Sequence, residues 1–234
     1  MIVTADNQEG AAAALCAARA AERIGQRGRL SAEALADALE RLSTDKERLR
    51  TMAQAAARLC DGLGSARLVA AIDPPRARDG MAVCLRPATA DDEVIMFEWQ
   101  SDPGARRHSR DPRPPRPETH REWLARRLVD PDCILSVILH GGAPVGVLRL
   151  DRLESEDAFE VSILVAPACQ RLGIGTAALT LARRLMPRAE YRAKVLPDNA
   201  SSHALFSAVG YSRRGGRYVS LPRAQSTAQV ESAG

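Results

Sequence analysis

Two hydrophobic periodicities divide the chain. From about Gln8 to Ala71 the apolar positions are mostly Ala and Leu at helical spacing, in AAAALCAARAAERIG, SAEALADALERL and TDKERLRTMAQAAARLC. Leu30, Leu35, Leu39 and Leu42 fall close to one helical face. Ser31, ahead of Glu33 and Ala34, predicts a helix start, and Thr44 predicts the cap of the next helix. The glycines of DGLG predict left-handed caps where the helices end. Beyond them IDPPRARDG, with two prolines and a glycine, predicts a linker at 73–80.

After the linker, short strand-like runs alternate with helices. AVCLRPA, CILSVILH, APVGVLRLD, AFEVSILVA and YRAKVL predict strands, and a last strand pair is expected around Gly215-Gly216. ADDEVIMFEWQ, started by Asp91 or Asp92, ETHREWLARRL, TAALTLARRLM and ASSHALFSAV predict helices. SDPGARRHSRDPRPPRP is expected to be a loop, because its prolines forbid continuous regular structure. The small, polar tail at 224–234 predicts disorder.

Composition narrows the class. The chain has 234 residues and is 45% hydrophobic but only 3% aromatic, so aliphatic residues and Ala must fill its core. Lys plus Arg number 33 against 29 Asp plus Glu. That mild excess argues against a dedicated nucleic-acid binder and suits an anionic small ligand. The five cysteines are scattered, without a CxxC pair or a Cys/His cluster at metal spacing, which predicts a reduced cytoplasmic protein without a metal. No apolar run is long enough to cross a bilayer, and MIVTADNQEG has no secretory signal pattern.

The chemistry concentrates after EVSILV, where APACQRLGIGTAAL turns into a helix. Gly173 and Gly175 let backbone approach a ligand closely, and the helix start offers unpaired N–H groups and a positive dipole end. Arg171 adds charge and Thr176 a hydroxyl, so the segment predicts a diphosphate cradle. Gln170-Arg171-Leu172-Gly173-Ile174-Gly175 resembles the Q/R-x-x-G-x-G/A signature of the GNAT acetyltransferases. Downstream, Asn199, Ser201, Phe206 and Gly210-Tyr211 resemble that family's N-x-x-S…F…GF/Y segment. The resemblance covers about residues 81–221. It implies an α/β (α+β) GNAT fold, with a mixed, largely antiparallel sheet splayed between its fourth and fifth strands, behind a small all-helical segment. It also implies acetyl-CoA as co-substrate, held by Gln170 to Thr176, by the backbone of Leu164 and Val165, and by Asn199, Ser201 and Phe206.

Acetyl transfer to an amine needs a base, or a water chain to one, to take the amine proton. Glu160 opens the strand beside the expected thioester position, and it is either that base or a solvated strand-edge carboxylate. His120 is the second candidate, with a helix-start histidine of no role as its alternative. Many relatives place an acidic Tyr where this chain has Phe206. Tyr211 lies nearby, with core packing as its plain reading.

A narrower resemblance concerns the acceptor. Trp99, Asp102, Arg106 and Ser109, then His120 and Trp123, then Gly146, Arg149 and Asp151 match features of the N-acetyltransferases of pseudaminic acid biosynthesis. It implies the amine of a UDP-linked amino sugar as acceptor, with Arg106, Arg107, Arg110, Arg113 and Arg116 available to a nucleotide diphosphate or simply solvated. Residues 1–72 resemble the C-terminal end of that pathway's UDP-sugar hydrolase, a glycosyltransferase-B-like enzyme, at Asn7-Gln8, Asp61-Gly62 and Gly64. On that reading the chain is a fusion whose front was cut away or whose start codon was assigned late, followed by a linker at 73–80 and a GNAT domain at 81–223. Two other functions stay open: acetylation of protein N-termini or ribosomal proteins, and a non-catalytic acetyl-CoA-binding module. No nucleic acid and no membrane is expected as partner, and the oligomeric state is unknown.

Overall fold

The computed structural model describes residues 1–26, 28–60, 62–109, 111–153 and 157–222. Asp61, Arg110 and the tail at 224–234, all named by sequence reasoning, lie outside them. The chain divides into two units, Met1–Leu63 and Gly64–Gly234.

In the first unit β1 (Ile2–Val3) is followed by α1 (Glu9–Ala17) and β2 (Gly25–Gln26), and β2 lies parallel to β1. The Ala-rich run thus makes a shorter helix than its composition predicts, and the segment is not all-helical. Arg19 is the stop, with φ 57. The Arg19 and Ala20 N–H groups donate back to Cys16 and Leu15, closing the helix in the manner usually reserved for glycine. α2 (Ala32–Thr44) starts as expected, with Ser31 Oγ accepting the Ala34 N–H at 3.1 Å. The cap of α3 (Lys46–Leu59) is Asp45, which accepts the Arg48 N–H at 2.9 Å. Thr44, expected there, instead donates its hydroxyl to the Glu40 carbonyl at 2.8 Å and stays within α2.

The second unit opens with α4 (Gly64–Ile72) and continues as β3 (Val83–Pro87), α5 (Glu93–Ser101), α6 (Pro103–Arg107), α7 (Pro117–Leu128), β4 (Cys133–His140), β5 (Ala143–Arg152), β6 (Ala158–Val165), α8 (Ile174–Leu185), β7 (Glu190–Ala193), α9 (Ala200–Ala208), β8 (Ser212–Arg214) and β9 (Arg217–Ser220). Thr89 and Asp92 form a capping box ahead of α5, and the Arg86 guanidinium grips both Asp92 oxygens at 2.6 and 2.8 Å. α6 is a helix where a loop was expected. Pro103 occupies its first turn, where proline costs no hydrogen bond, and Asp102 caps it through the Ala105 N–H at 3.0 Å.

The seven strands run in the order β3-β4-β5-β6-β7-β9-β8, antiparallel except for β6 beside β7. One face carries α8 over Leu148, Leu150, Phe159 and Tyr191. Leu135, Val137 and Val147 belong to a second buried cluster with Met96 and Trp99 of α5 and Leu124 of α7. The decisive irregularity is the β6–β7 pairing. It holds only for Ala158, Phe159 and Glu160, opposite Glu190, Tyr191 and Arg192, whereas β6 stays paired with β5 as far as Val165. Beyond Glu160 the two strands part, which is the splay expected between the fourth and fifth strands.

Candidate active site

Among the described residues the splay leaves one edge of Ser162 to Val165 without a strand partner, although β5 holds the other edge in register. Gly146 makes that register possible. A Cβ there would lie 2.3 Å from the Leu164 carbonyl oxygen and 3.1 Å from Val165 Cα. No side chain fits, so β5 and β6 approach each other closely just where β6 turns its free edge outward.

Beyond β6 the chain reverses through residues 166–173 into α8. Arg171 and Gly173 take positive φ, 64° and 81°. Glycine adopts this conformation freely, and for Arg171 it is strained. Gly173 is the residue before the helix, and no side chain caps the first turn. The first-turn N–H groups have no partner within the helix. Gly175 serves a different end: a Cβ there would come within 3.1 Å of Leu205 on α9, so its smallness sets the helix spacing.

A cavity of about 490 Å³ opens over this turn. Leu164, Val165, Gln170, Arg171, Gly173, Ile174, Gly175, Thr176, Asn199 and Ser201 line it, ten of the twelve residues that the sequence assigned to the co-substrate. Leu172 and Phe206 do not. Leu172 packs against the core and offers its carbonyl to the Arg78 N–H at 2.8 Å. Phe206 is buried and stacks against Tyr218 and edge-on to Tyr211.

A second cavity, of about 560 Å³, lies between β5, β6, the end of β7, α6 and α7. The two share Ala105, Ile163, Leu164, Asn199 and Ser202, so they meet at the splayed edge. Both catalytic candidates, Glu160 and His120, line the second cavity and not the first. Glu160 is the last β6 residue paired with β7 and stands at the fork, between Asp151 of β5 and Arg192 of β7. His120 is 2% exposed, and neither ring nitrogen has a hydrogen-bond partner among the described residues. Phe97 and Trp123 pack against its ring at centroid distances of 5.5 Å. Burial lowers its pKa, with the charge of Glu93 opposing, so at neutral pH the imidazole is uncharged with a lone pair available.

The second cavity is rich in cations. Arg106, Arg126, Arg149 and Lys194 line it, against the carboxylates Asp111 and Glu160. Arg149 lies over the Trp123 ring at 5.7 Å and is steadied by Asp151 at 2.8 Å. Trp123 thus joins Arg149 and Asp151, more than twenty residues further along the chain, in one contact group. Cys133, beside Asp151, is pushed up to about 12 by burial and is inert as a nucleophile. The Tyr211 hydroxyl is buried without a partner among the described residues, and burial raises its pKa well above that of a free phenol, so it keeps its proton.

Sequence reasoning missed two residues of this arrangement. Ser202 lines both cavities, and its N–H donates to the Asn199 side chain at 3.0 Å. The motif match settled on its neighbour Ser201, and the helical turn following Asn199 is what brings the next hydroxyl to the junction. Arg78 lines the first cavity from the segment taken for a plain linker. Its one visible signal was the density of arginine in PPRARDG.

Solved structures share the fold over about three-fifths of the chain. The aminoglycoside acetyltransferase AAC(6')-Ib in complex with coenzyme A is 18% identical at a TM-score of 0.52, over 60% of this chain and 95% of that one. The ribosomal L7/L12 alpha-N-protein acetyltransferase RimL in complex with coenzyme A is 14% identical at 0.53, over 60% and 94%. A spermidine N-acetyltransferase SpeG chimera from Vibrio cholerae and hSSAT is 14% identical at 0.53, over 59% and 95%. At these identities the likeness is one of fold. No curated protein matches the chain. The sequence itself matches the model of the acetyltransferase (GNAT) domain over residues 82–212, more than half its length. The chain therefore belongs to the GNAT acetyltransferases, enzymes that use acetyl-CoA as acyl donor.

Proposed function

We propose that the chain transfers the acetyl group of acetyl-CoA to the amine of a phosphate-bearing small molecule, a UDP-linked amino sugar. The observation that carries this reading is the lining of the second cavity, four cationic side chains against two carboxylates. A polycationic acceptor such as a polyamine would meet like charge there, whereas a nucleotide diphosphate would meet arginines able to bind it in a bidentate way. The same charge argues against a bare peptide amine less strongly, so a peptide belongs in the test.

The first cavity is the co-substrate side. The free edge of β6 suits the amide groups of pantetheine, and the glycine turn into α8 suits a diphosphate. The bound thioester supplies an activated acyl carbon at the junction of the two cavities. The amine lone pair then forms the C–N bond, the C–S bond breaks, and the sulfur leaves as thiolate. The amine proton passes to His120 or Glu160, directly or through water. We favour His120, because its uncharged ring has both nitrogens unpartnered among the described residues and it lines the acceptor cavity. Ser202, at the junction, is positioned to return a proton to sulfur.

The rest of the reading follows the resemblances. On those resemblances, residues 1–72 are akin to the C-terminal end of a UDP-sugar hydrolase, 73–80 is the linker and 81–223 the catalytic domain. By the chain's own contacts the division falls earlier, at Leu63. Five unpaired cysteines and the absence, among the described residues, of any helix long and apolar enough to cross a membrane support a cytoplasmic setting. The experiment is release of CoA thiol with four acceptors: a UDP-4-amino sugar, spermidine, an aminoglycoside and an N-terminal peptide. The amino sugar should give the highest kcat/KM. Higher turnover of spermidine or the aminoglycoside would overturn the acceptor, and no thiol release with any of them would favour a binding module. The pure chain should release no UDP from a 2,4-diacetamido UDP-sugar.

A further inference from the structure

We propose that Arg78 is a phosphate-binding residue for acetyl-CoA, supplied from outside the segment that the GNAT domain match covers. The inference rests on reading the first cavity as the acetyl-CoA site. The match begins at residue 82. Four residues ahead of it, Arg78 donates its backbone N–H to the Leu172 carbonyl at 2.8 Å and its Nη1 to the Arg171 carbonyl at 3.2 Å. Two successive carbonyls of the cofactor turn are thereby held by one residue. The Arg78 side chain also runs beside Gly173, where an added Cβ would come within 3.4 Å of its Cγ.

The backbone around Arg78 is anchored on both sides. Arg184 of α8 donates to the Asp73 carbonyl at 2.7 Å. The Ala77 N–H donates to the Met81 carbonyl at 2.9 Å, and Asp79 pairs with His140 of β4 at 3.0 Å. His140 and the Met81 N–H both hold the Asp79 carboxyl below its usual range. The linker at 73–80 is thus an ordered segment. The result is a strap that presents one guanidinium at the cavity, next to Arg171.

Arg78 meets only neutral carbonyls there, and no carboxylate pairs with it among the described residues. Arg78 and Arg171 both line the cavity over the start of α8, and the positive end of a helix disfavours cations near it. An anion lodged among them removes the conflict, and the co-substrate carries two kinds of phosphate that qualify: the diphosphate and the 3′-phosphate of its nucleotide. Arg78 has donors left for either, since one Nη1 contact leaves the rest of its fork unused.

The test measures KM for three donors in the wild type and in Arg78→Met and Arg78→Lys: acetyl-CoA, acetyl-dephospho-CoA and S-acetylpantetheine. Arg78→Met should raise KM for acetyl-CoA about tenfold, the size of one lost charged hydrogen bond. It should leave S-acetylpantetheine, which has no nucleotide phosphate, unchanged. Arg78→Lys should recover part of the loss. A penalty that persists with acetyl-dephospho-CoA assigns the diphosphate, and one that vanishes there assigns the 3′-phosphate. An equal penalty on all three donors would mean that Arg78 only braces the turn, and no penalty would mean that it does nothing; either overturns the proposal. Thr176→Glu separates this from failure of the site itself. A glutamate in the first turn of α8 suits the helix but repels a phosphate. If Thr176→Glu leaves acetyl-CoA affinity unchanged, the cavity is not the cofactor site. If it weakens binding while Arg78→Met does not, only the Arg78 assignment fails.

Discussion

The two cavities that meet at β6 are built from different materials. The first is made largely of backbone: a strand edge left open by the splay, a turn with two positive-φ residues, and the uncapped start of α8. The second is made of side chains, from α6, α7, β5, β6 and the segment after β7. Backbone geometry is common to any acceptor, because the donor is the same molecule each time. On the proposed reading, side chains carry the choice of acceptor and the movement of the proton. Substitutions should therefore separate cleanly, with the first cavity answering in donor affinity and the second in turnover and acceptor KM.

The largest separation is expected at the base. His120→Gln should lower kcat by about 10²–10⁴-fold, the usual contribution of a general base, with acetyl-CoA affinity unchanged. Glu160→Gln provides the contrast. If Glu160 only stands at the strand fork, its variant stays within about threefold of the parent. If the pH–rate series instead shows the loss in Glu160→Gln, shrinking at high pH where the amine is already neutral, the two assignments exchange. Either result keeps the effect in the second cavity, and a changed donor affinity in both variants would break the comparison.

On the donor side, Gly175→Val should weaken acetyl-CoA binding about 30-fold or more in calorimetry, with kcat at saturating donor much less affected. The structure adds a second cause to the one the motif implied. A Cβ at Gly175 presses on Leu205, so α8 and α9 must move apart as well as the cradle close. Unchanged affinity would sink the site assignment. Gly146→Ala makes a companion, since its Cβ would lie 2.3 Å from a backbone oxygen. It should destabilise the protein by about 1–3 kcal/mol in urea unfolding and distort the free edge of β6.

The asymmetry between the cavities also explains what could be read from the sequence. The proposed cradle is contiguous, seven residues from Gln170 to Thr176 after a strand, so the glycine turn and the helix start that line the first cavity were legible. Strand positions followed from runs such as CILSVILH, which forms β4 without a residue's difference. Non-local parts were harder. Arg78 touches Leu172 across ninety-odd residues of chain, and nothing in PPRARDG announces its partner. The Asn199 cap fixes the turn that brings Ser202 rather than Ser201 to both cavities, a matter of helical phase by one residue. α6 was hidden because prolines were read as breakers, when Pro103 stands at a first turn, where proline starts helices. Asp45 displaced Thr44 as a cap because Thr44 bonds backward along its own helix.

Acceptor recognition should show a smaller effect. Arg149→Met removes the cation over Trp123 and leaves Asp151 without that partner. Acceptor KM should rise about tenfold for a phosphate-bearing amine, and less for a neutral amine of the same shape. Equal losses for both would mean that Arg149 supports the Trp123 wall without reading charge.

The smallest expected effect is thermodynamic, and it tests whether the His120 site is as dry as its geometry implies. Burial depresses the pKa of His120 below its ordinary 6.5. The unfolded chain, with an ordinary imidazole, then binds a proton at a higher pH than the folded one. Well above 6.5 neither state is protonated, and the residue does not bear on the pH dependence of stability. As pH falls below 6.5, the unfolded state takes up its proton first, and stability is progressively lost until the folded pKa is reached. The melting temperature should therefore fall more steeply between pH 6.5 and pH 5 in the wild type than in His120→Gln, by about 3 °C or less. Glutamine keeps a polar group in the same pocket without titrating, so the difference between the two curves isolates the imidazole. Parallel curves would mean that water reaches the ring freely. The case for His120 over Glu160 would then weaken, because a hydrated imidazole is no longer a neutral base set aside beside the acceptor.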